Sequence, residues 1–382
     1  MLILEALRAQ FGDSLLLHFG TEQKPRLVVI DGGPPGVYND ALEPRLHEIR
    51  KERKLAANKA LEIDLMMVSH IDRDHIAGIL ELAQNLKTLK ESQQPAPWKI
   101  QRFWHNSFDD ILDNDDVSVA SAASVMSVAS IGGMLPHDGS LILASVPEGR
   151  DLRNLVNFLK LDGNPPFKGL VRTGKKPVVL DNLKLTVVAP SDKQLQALQK
   201  EWNKQVKKIL EKEKAEKARL EAAAFIDRSV ANLSSIVALV EADGKRMLLT
   251  GDGRGDHTLQ GLEEAGLMDE NGRIELDVLK MPHHGSEHNV APIYFQKIRA
   301  RHYVISADGE HDNPDIKTLK MISEARPDDD FTIHLTYPTD EFNVKEIGKK
   351  VAEFFEQDKA AGRKYKVETR KPGDLSFQLK LA

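Results

Sequence analysis

Residues 69–75 of this chain read Ser69-His70-Ile71-Asp72-Arg73-Asp74-His75. They directly follow residues 63–68, a nearly uninterrupted apolar run of the kind that forms a buried β-strand. The chain has no cysteine, so a metal site in it would use nitrogen and oxygen ligands. Zinc and manganese both accept imidazole and carboxylate ligands. The stretch therefore predicts a metal site on a turn at the end of a buried strand. Its four candidate ligands are His70, Asp72, Asp74 and His75.

A competing interpretation is a surface loop in which Asp74 only caps the following helix. Two further segments argue against it. Residues 248–252 read LLTGD and residues 280–286 read KMPHHGS, so an acid or a histidine pair again follows an apolar run. In α/β sheets, ligand sites gather outside the carboxyl ends of the strands, so we expect the three loops to meet at one sheet edge. The added candidate ligands are Asp252, His283 and His284.

Short apolar runs alternate with segments of helical periodicity, which predicts a layered α/β protein. Predicted strands include residues 14–19, 26–30, 63–68, 99–104, 183–188, 234–240, 246–249, 275–279 and 302–306. Predicted helices cover residues 40–55, 194–224, 258–265 and 315–324. From about residue 331 onward the pattern reads strand, helix, strand, strand.

The composition narrows the class of protein. Hydrophobic residues make up 41% of the 382 residues and charged residues 29%, as in a globular protein with a large core. The formal net charge of −5 gives no overall attraction to a polyanion, so nucleic acid would have to be held by local basic patches or by bound metal ions. No stretch has the apolar length of a membrane span, and the opening residues lack the pattern of a secretory signal. We expect a cytoplasmic protein that does not associate with membranes.

Three segments together resemble the metallo-β-lactamase fold: SHIDRDHIAG at residues 69–78, TGD at 250–252 and PHHGS at 282–286. More narrowly, they are similar to the ComEC-type branch, named for the hydrolase domain of the bacterial DNA-uptake competence protein. That branch carries Asp where most of the superfamily has the second histidine of the first motif. FGDS at residues 11–14 and IDGG at 30–33 agree with the resemblance. The ordered set of motifs is specific for the fold and much less specific for the substrate.

The resemblance covers roughly residues 1–324 and implies a four-layer αββα metallo-β-lactamase sandwich. We assign residues 1–330 to this hydrolase domain. Two parts lie outside the resemblance: a charged helical insertion at about residues 194–224, and a C-terminal α+β extension at residues 331–382 that we expect to pack on the domain. Lysine and glutamate interleave in the insertion at spacings that favour intrahelical pairs. A solvated arm or a surface for a protein partner is therefore favoured over a nucleic-acid groove.

The resemblance also implies roles for the candidate ligands. Asp74 and His75 are expected to bind one metal ion, and Asp252 to bridge two. The His283–His284 pair is expected to supply a further ligand to the first of these ions, with His284, next to the glycine, preferred. Asp74 and Asp252 are the expected catalytic carboxylates.

His70 and Asp72 are the expected ligands of the other ion. The superfamily usually places a third histidine for this ion before the bridging aspartate. The matching stretch here, VANLSS at residues 230–235, has none, as is also common in the ComEC-type branch. This site is therefore expected to be weaker, completed by water, or filled by a histidine from elsewhere. For His105, after a predicted strand, and His137, in a predicted Gly/Pro-rich loop, a surface or supporting role is favoured over ligation.

Several polar side chains near these motifs are candidates for contacting the substrate or supporting the ligands. Asn313 stands where the ComEC-type branch carries a histidine before a proline. The alternative for Ser306 and Asn313 is that they only shape this loop and cap the helix that follows. The candidates are His105, Asn232, Ser234, Ser286 and Asn313.

These features predict a hydrolase with two divalent metal ions, zinc or manganese, and the oxygen-rich ligand set moves the preference toward manganese. Such a pair lowers the pKa of a shared water and supplies a nucleophile at neutral pH, with Asp252 suited to hold that water. A phosphodiester matches the cationic centre, and the resemblance suggests single-stranded nucleic acid. One alternative is a hydrolase of small esters, lactones or phosphoesters. Another is a metal-binding scaffold or sensor without turnover.

Overall fold

The computed structural model describes residues 1–107, 137–174, 176–197, 199–200 and 234–381, and of residues 137–147 the backbone only. The predictions for Asn232 and for most of the helix at residues 194–224 lie outside these residues. The described strands are β1 (Leu2–Leu7), β2 (Leu15–Gly20), β3 (Pro25–Ile30), β4 (Leu61–Ile63), β5 (Leu65–Met67), β6 (Trp98–Ile100), β7 (Phe103–Trp104), β8 (Val178–Leu180), β9 (Leu183–Ala189), β10 (Val237–Ala242), β11 (Lys245–Leu249), β12 (Ile274–Lys280), β13 (Ile298–Ile305), β14 (Thr332–Leu335), β15 (Lys366–Thr369) and β16 (Ser376–Leu381).

The described α-helices are α1 (Glu43–Glu52), α2 (Arg73–Glu91), α3 (His137–Leu159), α4 (Gly255–Glu264), α5 (Pro292–Lys297), α6 (Ile316–Ala325) and α7 (Lys345–Ala360). Single helical turns lie at Tyr38–Leu42, Pro282–Gly285, Glu287–Asn289, Glu310–Asp312 and Thr339–Glu341. His137 begins α3, so its predicted place in a loop is wrong. None of the helices in the described part of the chain has the length and apolar character needed to cross a bilayer.

Two mixed sheets carry the fold. The six-stranded sheet has the order β16-β1-β2-β3-β5-β7, and the eight-stranded sheet has the order β15-β14-β13-β12-β11-β10-β9-β8. Each sheet has an antiparallel part and a parallel part. The parallel part of the first sheet runs through β3, β5 and β7, and that of the second runs from β11 to β15.

The strands are apolar on both faces because each sheet is covered on both sides. In β2, Leu17 faces the other sheet and Leu16 faces the helices, as the two-residue repeat of a strand requires. Leu17 packs in the cluster that also holds Val240 and Leu249 of the second sheet. Leu46 of α1 and Leu82 of α2 pack with Leu16 on the outer face of the first sheet.

The outer face of the second sheet is covered in the same way. Leu248 and Leu279 of this sheet pack with Leu262, Phe295 and Leu319, which lie on α4, α5 and α6. Two helical layers therefore enclose two sheets. The fold class predicted from the sequence, a four-layer αββα sandwich, is confirmed.

The apolar run at residues 63–68 is two strands rather than the one predicted. β4 pairs with β6 in a separate two-stranded sheet, and β5 joins the six-stranded sheet. Asp64 lies between them with its carboxylate buried, accepting hydrogen bonds from the Leu27 amide (3.2 Å) and from Nε of Arg26 (2.9 Å). A buried acid that needs these partners turns the chain from one sheet to the other. The predicted strand at residues 99–104 divides likewise into β6 and β7.

Residues 331–381 supply strands to both sheets. β14 and β15 extend the eight-stranded sheet in parallel, and β16 pairs with β1 along its whole length. Glu5 of β1 fixes this pairing from a fully buried position. Its carboxylate accepts hydrogen bonds from Arg45 of α1 (2.6 Å), from Gln378 (3.1 Å) and from the Ser376 hydroxyl.

Candidate metal centre

Three loops meet at one edge of the two sheets, each leaving the carboxyl end of a strand: β5, β11 and β12. Close contacts connect them. A Cβ atom at Gly251 would lie 2.9 Å from Cβ of Ser69, and the His283 amide donates to the Gly251 carbonyl (3.1 Å). The three segments that the sequence singled out therefore lie side by side.

Helix α2 places Asp74 and His75 in its first turn. Asp72 occupies the N-cap position and makes no capping hydrogen bond through its side chain, so the capping role considered for Asp74 is wrong. The helix starts close against the loop after β3, because Gly78 leaves room for Gly32. A Cβ atom at Gly78 would lie 2.0 Å from the Gly32 carbonyl oxygen.

The first group of candidate ligands is the Asp74 cluster, in which one ligand atom of each member lies within 4.8 Å of all the others. Nε2 of His284 is 3.2 Å from Oδ2 of Asp74 and 3.2 Å from Nε2 of His75. Nε2 of His75 is 3.3 Å from Oδ1 of Asp252. The members of the Asp74 cluster are Asp74, His75, Asp252 and His284.

The two facing imidazoles, those of His75 and His284, each donate a hydrogen bond to an outer acceptor. Nδ1 of His75 donates to Oδ2 of Asp31 (2.9 Å), and Nδ1 of His284 donates to the Ser306 carbonyl (2.9 Å). Each neutral ring therefore carries its lone pair on Nε2, where the two nitrogens face each other. Orientation of a histidine by an outer acceptor is the usual arrangement around a bound metal.

The second group is the His70 cluster, formed by His70, Asp72 and Asp252. Nε2 of His70 lies 3.6 Å from Oδ2 of Asp72 and 3.5 Å from Oδ2 of Asp252. Asp252 thus directs Oδ1 to the Asp74 cluster and Oδ2 to the His70 cluster. This is the position of a bridging carboxylate.

Three buried polar atoms of these clusters make no hydrogen bond within the described residues: Nε2 of His70, Oδ1 of Asp72 and Oδ1 of Asp252. Leaving such atoms unpaired in a protein interior is costly, so they indicate a missing electrophilic partner. The donor set is nitrogen and oxygen only, as suits zinc or manganese. The residues present therefore fit a pair of divalent cations.

The electrostatics of the pocket favour positive charge. Burial and the neighbouring His75 oppose protonation of His70, but the carboxylates, Asp252 above all, outweigh them and raise the pKa of His70 to about 10. Burial also opposes protonation of His75, yet Asp252, Asp74 and Asp31 raise its pKa well above the ordinary value. For Asp252, burial favours the neutral acid, but the surrounding histidines hold its pKa well below the usual range. Divalent cations would meet the same need for positive charge.

Two buried acids, Asp13 and Asp31, lie on the outer side of the histidine rings, and the sequence analysis assigned them no role. Asp31 accepts hydrogen bonds from the amide and hydroxyl of Ser69 (both 2.7 Å) besides that from His75. Oδ2 of Asp13 pairs with the fully buried ammonium group of Lys280 (2.6 Å), and Oδ1 lies 3.6 Å from Nδ1 of His284. The only sequence signal was their place in FGDS and IDGG, which marked the resemblance without indicating a function.

The turn at Pro282–Gly285 directs both histidines toward Asp252. His283 (φ 48°) and His284 (φ 55°) have left-handed backbone conformations, which residues with a side chain adopt at a cost in energy. Gly285 follows at φ 88°, where a Cβ atom would lie 2.9 Å from Cβ of Pro314. Nε2 of His283 is 3.5 Å from Oδ2 of Asp252, and Nε2 of His284 is 3.7 Å from Oδ1.

The other candidate residues lie in the connecting loops. His105 is buried directly after β7, and its backbone is held by the Asn164 side chain; it belongs to neither ligand cluster. The Ser286 hydroxyl accepts a hydrogen bond from the His288 amide (3.4 Å). Ser234 and Asn313 are also buried.

Of the two residues considered for shaping the later loop, Ser306 has a clear structural part. Its hydroxyl donates to the Gly12 carbonyl (2.6 Å), and its own carbonyl orients His284. Asn313 does not cap the next helix, because Asp315 occupies that N-cap position.

The sequence matches no family model and no curated protein. Among solved structures, the chain is similar to Zn²⁺-bound PqqB from Methylobacterium extorquens, with 9% sequence identity, 100% of both chains covered and a TM-score of 0.38.

Proposed function

We propose that this protein is a hydrolase that uses two divalent metal ions and acts on phosphodiesters. The observation that carries the proposal is the arrangement around Asp252. Its two carboxylate oxygens face two separate groups of ligand atoms, and three buried polar atoms there have no hydrogen-bonding partner in the described chain. The Asp74 cluster would hold one ion, and the His70 cluster the other.

When bound, two divalent ions supply an activated water and neutralise negative charge that develops on the substrate. The residues of the chain hold this arrangement in place before the substrate arrives. Asp31 fixes the ring of His75, and the Ser306 carbonyl fixes the ring of His284. Asp252, which belongs to both clusters, would hold the activated water between them. Preorganised groups of this kind need little rearrangement during the reaction.

A phosphodiester is the substrate class that best suits this site. The additional negative charge of its transition state appears on oxygens that cations can contact. Because the chain itself carries a net charge of −5, attraction for such a substrate would come from the bound cations. The motif resemblance to the ComEC-type branch supports single-stranded DNA as the polymer. Manganese is favoured over zinc because three of the six different side chains in the two clusters are carboxylates.

The test is hydrolysis by purified protein with manganese or zinc, using a chromogenic phosphodiester, a labelled single-stranded oligonucleotide, an ester and a lactone. We expect cleavage of the first two substrates with manganese, and loss of cleavage in Asp74→Asn. His288→Ala is the matched control, since His288 is exposed on the loop that carries the candidate ligands.

Three other outcomes would favour other functions. Turnover of the ester or lactone alone would favour a small-molecule hydrolase. Metal binding without turnover of any substrate would favour a scaffold or sensor. A protein that binds neither manganese nor zinc would contradict the proposal.

A further inference from the structure

The two ligand clusters have different numbers of members. The Asp74 cluster has four members, whereas the His70 cluster has three and shares Asp252 with the other. Zinc in proteins is usually held by four groups, or by three and a water in catalytic sites. The chain segment before β10 at residues 230–235 contains no histidine. If the fourth ligand of the His70 cluster is a histidine rather than a water, it therefore comes from another part of the chain.

His283 lies on the correct side of the bridging carboxylate. Its Nε2 is 3.5 Å from Oδ2 of Asp252, and Nε2 of His70 is 3.5 Å from the same oxygen. Nε2 of the next residue, His284, is instead 3.7 Å from Oδ1. Two ligand atoms on one tetrahedral zinc ion are roughly 3.4 Å apart, given metal–nitrogen distances of about 2.0–2.1 Å. Both imidazole-to-carboxylate distances agree with a shared ion. His283 is not among the side chains whose ligand atoms already lie within 4.8 Å of those of both His70 and Asp72, so its ring would close on the ion when the ion binds.

The ring of His283 is held in the orientation that ligation requires. Nδ2 of Asn289 donates to the Asp252 carbonyl (2.7 Å), which leaves Oδ1 of Asn289 as the acceptor for Nδ1 of His283 (2.8 Å). The proton of the neutral ring is therefore on Nδ1, and the lone pair on Nε2 faces the carboxylate of Asp252. A lone pair and a carboxylate oxygen attract each other only through a positive charge between them.

We propose that His283 is a ligand of the ion in the His70 cluster, so that the consecutive residues His283 and His284 bind different metal ions. This inference rests on the proposed two-metal function. It accounts for the consecutive left-handed conformations at these two residues, which turn adjacent side chains toward opposite ends of Asp252. Asn289 is the positioning residue, because it connects the ring of His283 to the backbone of Asp252.

The side chain of His283 is 35% exposed, whereas those of His75 and His284 are almost completely buried. His283 is therefore the more accessible of the two neighbouring histidines, whereas the other members of the His70 cluster, His70 and Asp72, are buried.

The experiment measures metal content and needs no substrate. Metal-free protein is titrated with Mn²⁺ by calorimetry, and the loaded protein is studied by electron paramagnetic resonance. We expect two ions and a spin-coupled spectrum in the unsubstituted protein. His283→Ala should retain one ion, weaken the other at least 10-fold and give an uncoupled Mn²⁺ spectrum. Asn289→Ala should weaken the same ion about 10-fold, as losses of outer partners do. His288→Ala should match the unsubstituted protein.

Circular dichroism establishes that each variant is folded, and His283→Asn provides a second variant if the alanine form is not. Two ions of unchanged affinity in the folded His283 variants would overturn the inference and leave the proposed function standing. A single ion in the unsubstituted protein that is lost in His284→Ala but not in His283→Ala would also overturn it. Absence of any bound ion would contradict both proposals.

Discussion

The two ligand clusters share Asp252 but differ in how firmly their other side chains are held. In the Asp74 cluster, both histidine rings have an acceptor at 2.9 Å, and Asp31 is itself held by two hydrogen bonds from Ser69. In the His70 cluster, Nδ1 of His70 lies 3.1 Å from the Ser69 hydroxyl, and Oδ1 of Asp72 has no hydrogen-bonding partner in the described chain.

This difference suggests that the two sites of the centre bind their ions with different affinities. The histidine rings of the Asp74 cluster are held by outer acceptors, which favours tight binding of its ion. Asp74, at 21% exposed, and His283, at 35%, are the side chains of the centre that a substrate can approach.

The largest effect is expected from Asp252→Asn, which weakens both clusters at once. The amide has one carbonyl oxygen and no negative charge, so it cannot serve two cations as the carboxylate does. We expect both ions to be lost or weakened more than about 100-fold, beyond the range seen for outer partners. Calorimetric titration with Mn²⁺ measures this. A variant that retains both ions would refute the bridging position of Asp252.

A smaller and one-sided effect is expected from Asp31→Asn. The substitution removes the negative acceptor that holds the His75 ring, so affinity at the Asp74 cluster should fall about 10–100-fold. The His70 cluster should change much less, and the same titration resolves the two sites. Equal weakening of both ions would contradict the asymmetry described here.

The effect of pH on stability provides a third test. In metal-free protein, the raised pKa of His70, about 10, means that its protonated form contributes stability below the unfolded value near 6.5. That contribution is lost as the pH rises through 10. Metal ions bind the deprotonated ring, so the metal-loaded protein does not lose this contribution to stability as the pH rises. The increase in unfolding temperature caused by Mn²⁺ should therefore grow from pH 6.5 to pH 9. An increase that is constant or falls over this range would contradict the prediction.

The smallest effect on metal binding is expected from Glu5→Gln, far from both clusters. Burial raises the pKa of Glu5, but His18 and Arg45 outweigh it and lower the pKa from 4.5 to about 2. The resulting stability is present above pH 4.5 and lost as the pH falls through 2. Removal of the charge should cost on the order of 3 kcal/mol at pH 7, by the usual conversion from pKa to free energy. Denaturant unfolding should show this loss, while Mn²⁺ affinities stay within about twofold of the original values. Weaker metal binding would show that this network supports the clusters.

Local sequence patterns predicted the alternation of strands and helices and the loops of the centre, because both depend on short-range features, whereas the four layers were implied by the motif resemblance. The short apolar run of β2 identifies a strand, and the apolar run before Ser69 ends where the metal motif begins. Patterns could not show where one run becomes two strands. That division depends on Asp64 meeting Arg26, 38 residues away in the chain.

The residues that orient the candidate ligands were also beyond local reasoning. Lys280 reads as the end of an apolar strand, and only the folded chain places its ammonium group against Asp13. The side chains of His283 and His284 point in different directions because of the left-handed backbone angles at both residues, and the sequence HHG alone does not predict those angles. Residue types near a strand end therefore indicate a metal site, whereas the partition of its ligands requires coordinates.

The pairing of β1 with β16 has a consequence for biosynthesis. Glu5 and Ser376 are 371 residues apart, so β1 emerges from the ribosome long before its edge partner exists. During that interval an apolar strand has one unpaired edge, which is a template for aggregation. A nascent chain that stalls before residue 376 should consequently depend on chaperones. Once β16 pairs with β1, the edge of the sheet is a partly polar strand instead of the more apolar β1.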